Sequence, residues 1–70
     1  MNTIVDARGL SCPQPVIMAR QEIEKGIFPI EVRVDTVTSR ENVRRMAQAN
    51  NYMVEVKDDG DDFLVILKRN

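Results

Sequence analysis

Tyr52-Met53-Val54-Glu55-Val56-Lys57-Asp58-Asp59-Gly60-Asp61-Asp62-Phe63-Leu64-Val65-Ile66-Leu67-Lys68 decides the architecture, because two apolar-alternating segments flank a turn signal. Asp-Gly tolerates positive φ, so the stretch reads as a β-hairpin. Tyr52–Lys57 and Phe63–Lys68 are its strands, and the acidic run 58–62 is its solvated tip. An acidic metal loop is the competing reading of that run, but the ligand spacing of a calcium loop is missing.

Upstream of the hairpin, Ile30-Glu31-Val32-Arg33-Val34-Asp35 alternates strictly and puts Ile30, Val32 and Val34 on one buried face. Pro29 stands just before it, where a missing N–H costs no ladder bond. Thr3-Ile4-Val5-Asp6 is a further short, β-branched strand. Between these strands lie two helical patterns. Val16, Ile17, Ala19 and Ile23 form the stripe of the first, and Gly26 stops it. In the second, Thr38 and Glu41 have capping-box spacing, Val43, Met46 and Ala47 form the stripe, and Asn50-Asn51 is the C-terminal cap. The order is βαβαββ. Two helices packed on one face of a four-stranded mixed sheet would bury both stripes, giving a two-layer α/β (α+β) sandwich.

Size and composition bound the function. Seventy residues are read as a single domain, 1–70, with 43% apolar and 30% charged side chains and a net charge of −1. That balance argues against nucleic acid as the main partner, since such proteins usually show a basic surplus. No apolar run spans a bilayer and the N-terminus lacks a signal pattern, so no membrane partner is expected and the cytoplasm is the expected location. The lone cysteine excludes an internal disulfide and fits a reducing compartment. With no histidine, neither a Cys-His pair nor a histidine-bearing metal site can come from this chain, and one cysteine cannot fill a tetrahedral zinc site.

That cysteine stands in Cys12-Pro13-Gln14-Pro15, where the loop after the first strand becomes the first helix. Prolines fit the first helical turn, because N–H groups there have no intrahelical acceptor. Cys12 is thus expected near the N-cap, at the positive end of the helix dipole, a setting that lowers a thiol pKa and enriches the nucleophilic thiolate. Gly9 gives the backbone freedom to present it, and Arg8 is a candidate source of positive charge. A small buried hydrophobe is the other reading, since free cysteine is among the most buried residue types.

The stretch Asp6-Ala7-Arg8-Gly9-Leu10-Ser11-Cys12-Pro13-Gln14-Pro15 resembles the signature Asp-x-x-Gly-x-x-Cys-Pro-x-Pro of the TusA/SirA-like sulfur-carrier family. The resemblance covers nearly the whole chain and includes the βαβαββ order. It implies that Cys12 holds sulfur as a persulfide, loaded by a cysteine desulfurase or another sulfurtransferase and passed to a downstream acceptor protein. Asp6, Gly9, Pro13 and Pro15 would then support the motif, and Arg8 and Gln14 would be partner contacts. The only cargo would then be the covalent sulfur, with no other cofactor and no metal expected. Such a protein is a sulfurtransferase-type carrier rather than a stand-alone catalyst. The tRNA-thiolation members carry an Asp-Pro after the second strand and a Gly-His before the third. Here those places read Asp35-Thr36 and Asn51-Tyr52, and Ser39-Arg40-Glu41-Asn42-Val43 is more similar to YedF-like proteins linked to selenium metabolism.

Two alternatives remain from the residues. A non-enzymatic binding or regulatory module could use Arg40 and Arg44, one helical turn apart, as a docking contact for an acidic partner. RNA is a poorer fit, since Phe28, Tyr52 and Phe63 are the only aromatics and sit at packing positions. A selenium carrier would use the same Cys12. Met18, Met46 and Met53 read as core gap-fillers. Leu64 and Ile66 lie opposite Phe63, Val65 and Leu67, so the second sheet face would be an apolar surface for a partner protein or for self-association.

Overall fold

Gly60 turns the hairpin with φ +65°, and strands β3 (Met53–Asp59) and β4 (Asp62–Lys68) run back from it in register from Asp59↔Asp62 to Met53↔Lys68. The computed structural model describes residues 3–10, 13–26 and 28–69. The turn is tighter than the acidic run suggests, because a two-residue loop with glycine at its first position matches the natural strand twist. Asp58, Asp59 and Asp62 therefore belong to the strands. The remaining elements are β1 (Thr3–Asp6), α1 (Gln14–Lys25), β2 (Ile30–Val34) and α2 (Val37–Ala49), giving the expected βαβαββ order.

The sheet order is β1-β2-β4-β3, with β1 parallel to β2 and the other pairs antiparallel. Helix α1 packs on β1 and β2, α2 packs on β4 and β3, and the helices touch each other. Between the layers lie Val5, Ala7, Ala19, Ile30, Val32, Val34, Val43, Ala47, Val65 and Leu67. Fully burying one such Val, Ile or Leu side chain contributes about 1.5–3 kcal/mol. Phe28 and Tyr52 pack against this core and stack on each other at 5.1 Å, which accounts for two of the three aromatics as packing groups.

Helix α1 ends as expected, with Gly26 at φ +76° and its N–H donated to the Ile23 carbonyl. Its buried side is Pro15 and Ala19, with Val16, Met18 and Ile23 packed against the core, whereas Ile17 turns outward. Helix α2 ends in a Schellman arrangement. Asn51 takes φ +66°, its N–H reaches Gln48 O, and Tyr52 N–H reaches Ala47 O.

The start of α2 differs from the Thr38/Glu41 capping box. Thr36 is the N-cap, in an extended conformation, and its Oγ1 accepts from the Ser39 N–H at 3.0 Å. Thr36 is the first hydroxyl after β2, so it claims the cap and Thr38 falls inside the helix. Glu41 is engaged by Arg40 and Arg44 instead. Thr36→Ala is expected to cost about 1 kcal/mol, read as a drop in the thermal midpoint of roughly 4–8 °C. Thr38→Ala should leave the midpoint nearly unchanged.

The second sheet face is not the apolar surface anticipated. Ile66 is 7% exposed and Leu64 half-buried, because charged neighbours on adjacent strands lie over them. Glu31 and Glu55 flank Ile66 in register, and Arg33 and Lys57 flank Leu64. Such side chains lay their aliphatic stems over apolar surface and keep their heads in water. Ile4 and Met53 are the exposed apolar groups on that face, so Met53 is not a core filler.

Candidate functional site: the loop between the first strand and the first helix

Because β1 and β2 are parallel, the loops that follow them emerge at the same end of the sheet. The hairpin tip joins them there, since Phe63 lies opposite Val34. Ala7 continues the pairing, donating its N–H to Arg33 O at 2.8 Å, and its side chain is buried. The chain then turns through Gly9 at φ +76°, a conformation that non-glycine residues adopt only with strain. The Gly9 N–H donates to Asp35 Oδ2 at 2.8 Å. Asp35 is the first residue past β2, so this bond ties the β1–α1 loop to the β2–α2 loop.

Helix α1 then opens on the proline motif. Pro13 is the N-cap, Gln14 the first helical residue and Pro15 the second. Pro13 and Gln14 are exposed, while Pro15 is buried against the core and anchors the helix start. The Pro13 carbonyl accepts from the Ile17 N–H at 3.1 Å. Among the described residues no side chain caps this end, and no acidic residue sits in the first turn. The positive end of the dipole is thus not neutralised by the helix itself. Leu10 and Ile17, 38% and 41% exposed, present apolar groups on either side of the motif. Cys12, the expected reactive residue, and Ser11 lie outside the described residues.

The charges in this region are mostly spoken for. Arg8 grips Asp6 with Nε and a terminal nitrogen, both at 2.9 Å, and reaches Asp62 at 3.4 Å. Hydrogen bonds from Arg8 hold the Asp6 carboxyl at about 2, against an ordinary 3.8, and the same contacts push the Arg8 guanidinium up. Arg33 Nε lies 3.1 Å from Asp59 Oδ2, an ion pair whose N–H is not aligned for a hydrogen bond. The hairpin tip therefore turns Asp59 and Asp62 toward arginines. Among the described residues no cluster of His, Cys, Asp or Glu could hold a metal ion.

A depressed carboxylate stabilises the fold at pH above its unfolded value and loses that contribution as pH falls through the folded one. For Asp6 the window runs from about pH 4 down to about pH 2. Arg8→Ala is expected to move the Asp6 carboxyl titration, followed by NMR, up toward the ordinary carboxylate range. An unchanged midpoint would contradict the bidentate contact.

The structure thus brings Asp6, Arg8 and Gly9 together around the loop, with Pro13, Gln14 and Pro15 at its exit. Arg40 and Arg44 lie on α2 and share Glu41, whose carboxyl Arg44 pulls below its usual range. Arg40 also stacks over Phe63 at 4.7 Å, and Arg44 bonds Gln48 Oε1. Asp35 and Asp62, which hold the loop, were not singled out from sequence. The signal was available for Asp35: parallel strands bring their carboxyl ends together, and an acidic residue stood there. A groove of about 190 Å³ between α1 and α2 is lined by Arg20, Ile23, Glu24, Met46 and Asn50. It lies toward the C-terminal ends of both helices, away from the motif.

Fold and loop together define a small two-layer α/β domain built around a Cys-Pro-x-Pro helix start. The chain belongs to the TusA family: the family model described as sulfurtransferase TusA matches residues 3–69. The crystal structure of a SirA-like protein from Desulfitobacterium hafniense superimposes with a TM-score of 0.87 at 31% identity, covering 100% of both chains. A comparison with curated proteins found no match. The expected family and fold are both borne out. Among the described residues no helix is long and apolar enough to cross a membrane.

Proposed function

We propose that Cys12 is the sulfur-carrying residue and that the protein relays sulfur as a persulfide from a donor protein to an acceptor protein. The observation that carries this reading is the motif's setting. The only cysteine in the chain directly precedes Pro13, the N-cap of α1, and follows by three positions Gly9, whose N–H is held by Asp35.

The step is a displacement at sulfur. The Cys12 thiolate attacks the terminal sulfur of a donor persulfide, such as that of a cysteine desulfurase. The donor S–S bond breaks, its cysteine leaves as a thiolate, and a Cys12 persulfide forms. An acceptor thiolate then attacks the same terminal sulfur and returns Cys12 to the thiolate. No net oxidation occurs and no further cofactor enters. A persulfide ionises readily, so a carrier without histidine needs no general base. The same chemistry requires a reducing compartment, for which we assign the cytoplasm.

Intact-protein mass spectrometry after incubation with a cysteine desulfurase and cysteine tests the reading. Wild type should gain the mass of one sulfur atom, removable by a thiol reductant, and Cys12→Ser should gain none. An adduct on Cys12→Ser, or none on wild type, would overturn it.

A further inference from the structure

Strand β3 is an edge strand with every residue except Val54 exposed. The closing pair of a two-residue hairpin exchanges hydrogen bonds, and such pairs alternate with non-bonded ones along the ladder. Counting from Asp59↔Asp62, the backbone groups of Asp59, Lys57, Glu55 and Met53 point to β4. Those of Val54, Val56 and Asp58 therefore point outward and find no strand among the described residues. Exposed rows of this kind are templates for pairing with another strand.

We infer that this edge pairs with a second copy of itself, antiparallel about a two-fold axis at Val56, to make a continuous eight-stranded sheet. One register uses all three outward-facing residues, setting Val56 opposite Val56 of the second copy and Val54 opposite Asp58. That register, chosen on backbone groups alone, also sets Glu55 opposite Lys57 twice, once on each side of the axis. Opposite charges directly across an antiparallel pair are favourable, and like charges there are not. The contact is self-complementary, as two-fold symmetry requires. Glu55 now bonds Lys68 at 3.0 Å and lies 3.8 Å from Lys57 of its own chain, so the side chains are already on the same face.

The helix layer accepts the arrangement. Helix α2 rests on both β4 and β3, so its axis and that of its copy would lie two strand spacings, about 10 Å, apart. Arg44 arrives at that approach already paired with Glu41. The opposite edge, β1, has four residues and offers a much shorter template.

Sedimentation equilibrium of the full chain in reductant, over a concentration series into the millimolar range, tests the inference. Wild type should shift toward twice the monomer mass as concentration rises. Glu55→Lys and Lys57→Glu each create like-charge pairs and should remain monomeric over the same series. An equimolar mixture of the two variants should recover the association, because each then faces opposite charges. Val56→Pro, which removes an N–H that no ladder bond within the chain uses, should also abolish it. A monomeric wild type, single variants that associate as wild type does, or a mixture that stays monomeric would each overturn the inference. Circular dichroism of each variant separates loss of pairing from loss of fold, and the mixture reports on folded chains alone.

Discussion

Leu67→Ala is expected to remove about 2–5 kcal/mol of stability, the usual cost of emptying a fully buried leucine site. Leu67 is wholly inaccessible and sits on β4, an interior strand, between Ile30 and Val54 in register. A seventy-residue domain has roughly 4–10 kcal/mol in total, at about 0.05–0.15 kcal/mol per residue. One side chain thus accounts for a large share of the margin, and the variant should be substantially unfolded near 37 °C. Ile4→Ala, at a site 68% exposed, is the control and should change stability little. Urea denaturation followed by circular dichroism distinguishes them. A Leu67→Ala midpoint close to that of Ile4→Ala would contradict the packing described.

Gly9→Val carries the second large effect, and it combines stability with function. A β-branched residue at φ +76° is strained, at about 1–2 kcal/mol for the left-handed conformation. The site has space, since among the described residues no atom beyond the chain neighbours lies within 4 Å of a Cβ placed there, so the penalty is conformational. The backbone relieves it by rotating, which turns the Gly9 N–H away from Asp35. The thermal midpoint should fall by several degrees, at roughly 4–8 °C per kcal/mol. Sulfur loading of Cys12 should slow beyond the fraction unfolded. Asp35→Ala should reproduce the slowing with less loss of stability, and Asp35→Asn, which keeps an acceptor oxygen, should largely restore it. Equal loading rates in folded Asp35→Ala and wild type would show that the tie to Gly9 has no part in transfer.

Local chemistry made the elements legible before their arrangement. Alternation in Ile30–Val34, the Asp-Gly turn and the glycine stop at Gly26 each depend on neighbours within a few residues, and each reappears in the structure. The motif was readable for the same reason, as a run of ten consecutive residues. What escaped depends on distant partners. Arg8 was a candidate for free positive charge, but its guanidinium is committed to Asp6 nearby and to Asp62, 54 positions away. Leu64 and Ile66 looked like an apolar face because their covering charges come from β2 and β3. The misplaced cap at Thr38 is a local error: capping-box spacing was matched where an earlier threonine competed for the helix start.

The tie between Gly9 and Asp35 spans 26 positions, and the one between Arg8 and Asp62 crosses almost the whole chain. The shape of the motif loop is therefore a property of the assembled sheet, although every residue of the motif lies within the first fifteen. A growing or partly unfolded chain has the same thiol but lacks both anchors until β2 and the hairpin are in place. The cysteine is present in the chain from the start, whereas the anchors of the loop that leads to it arrive only with the finished fold.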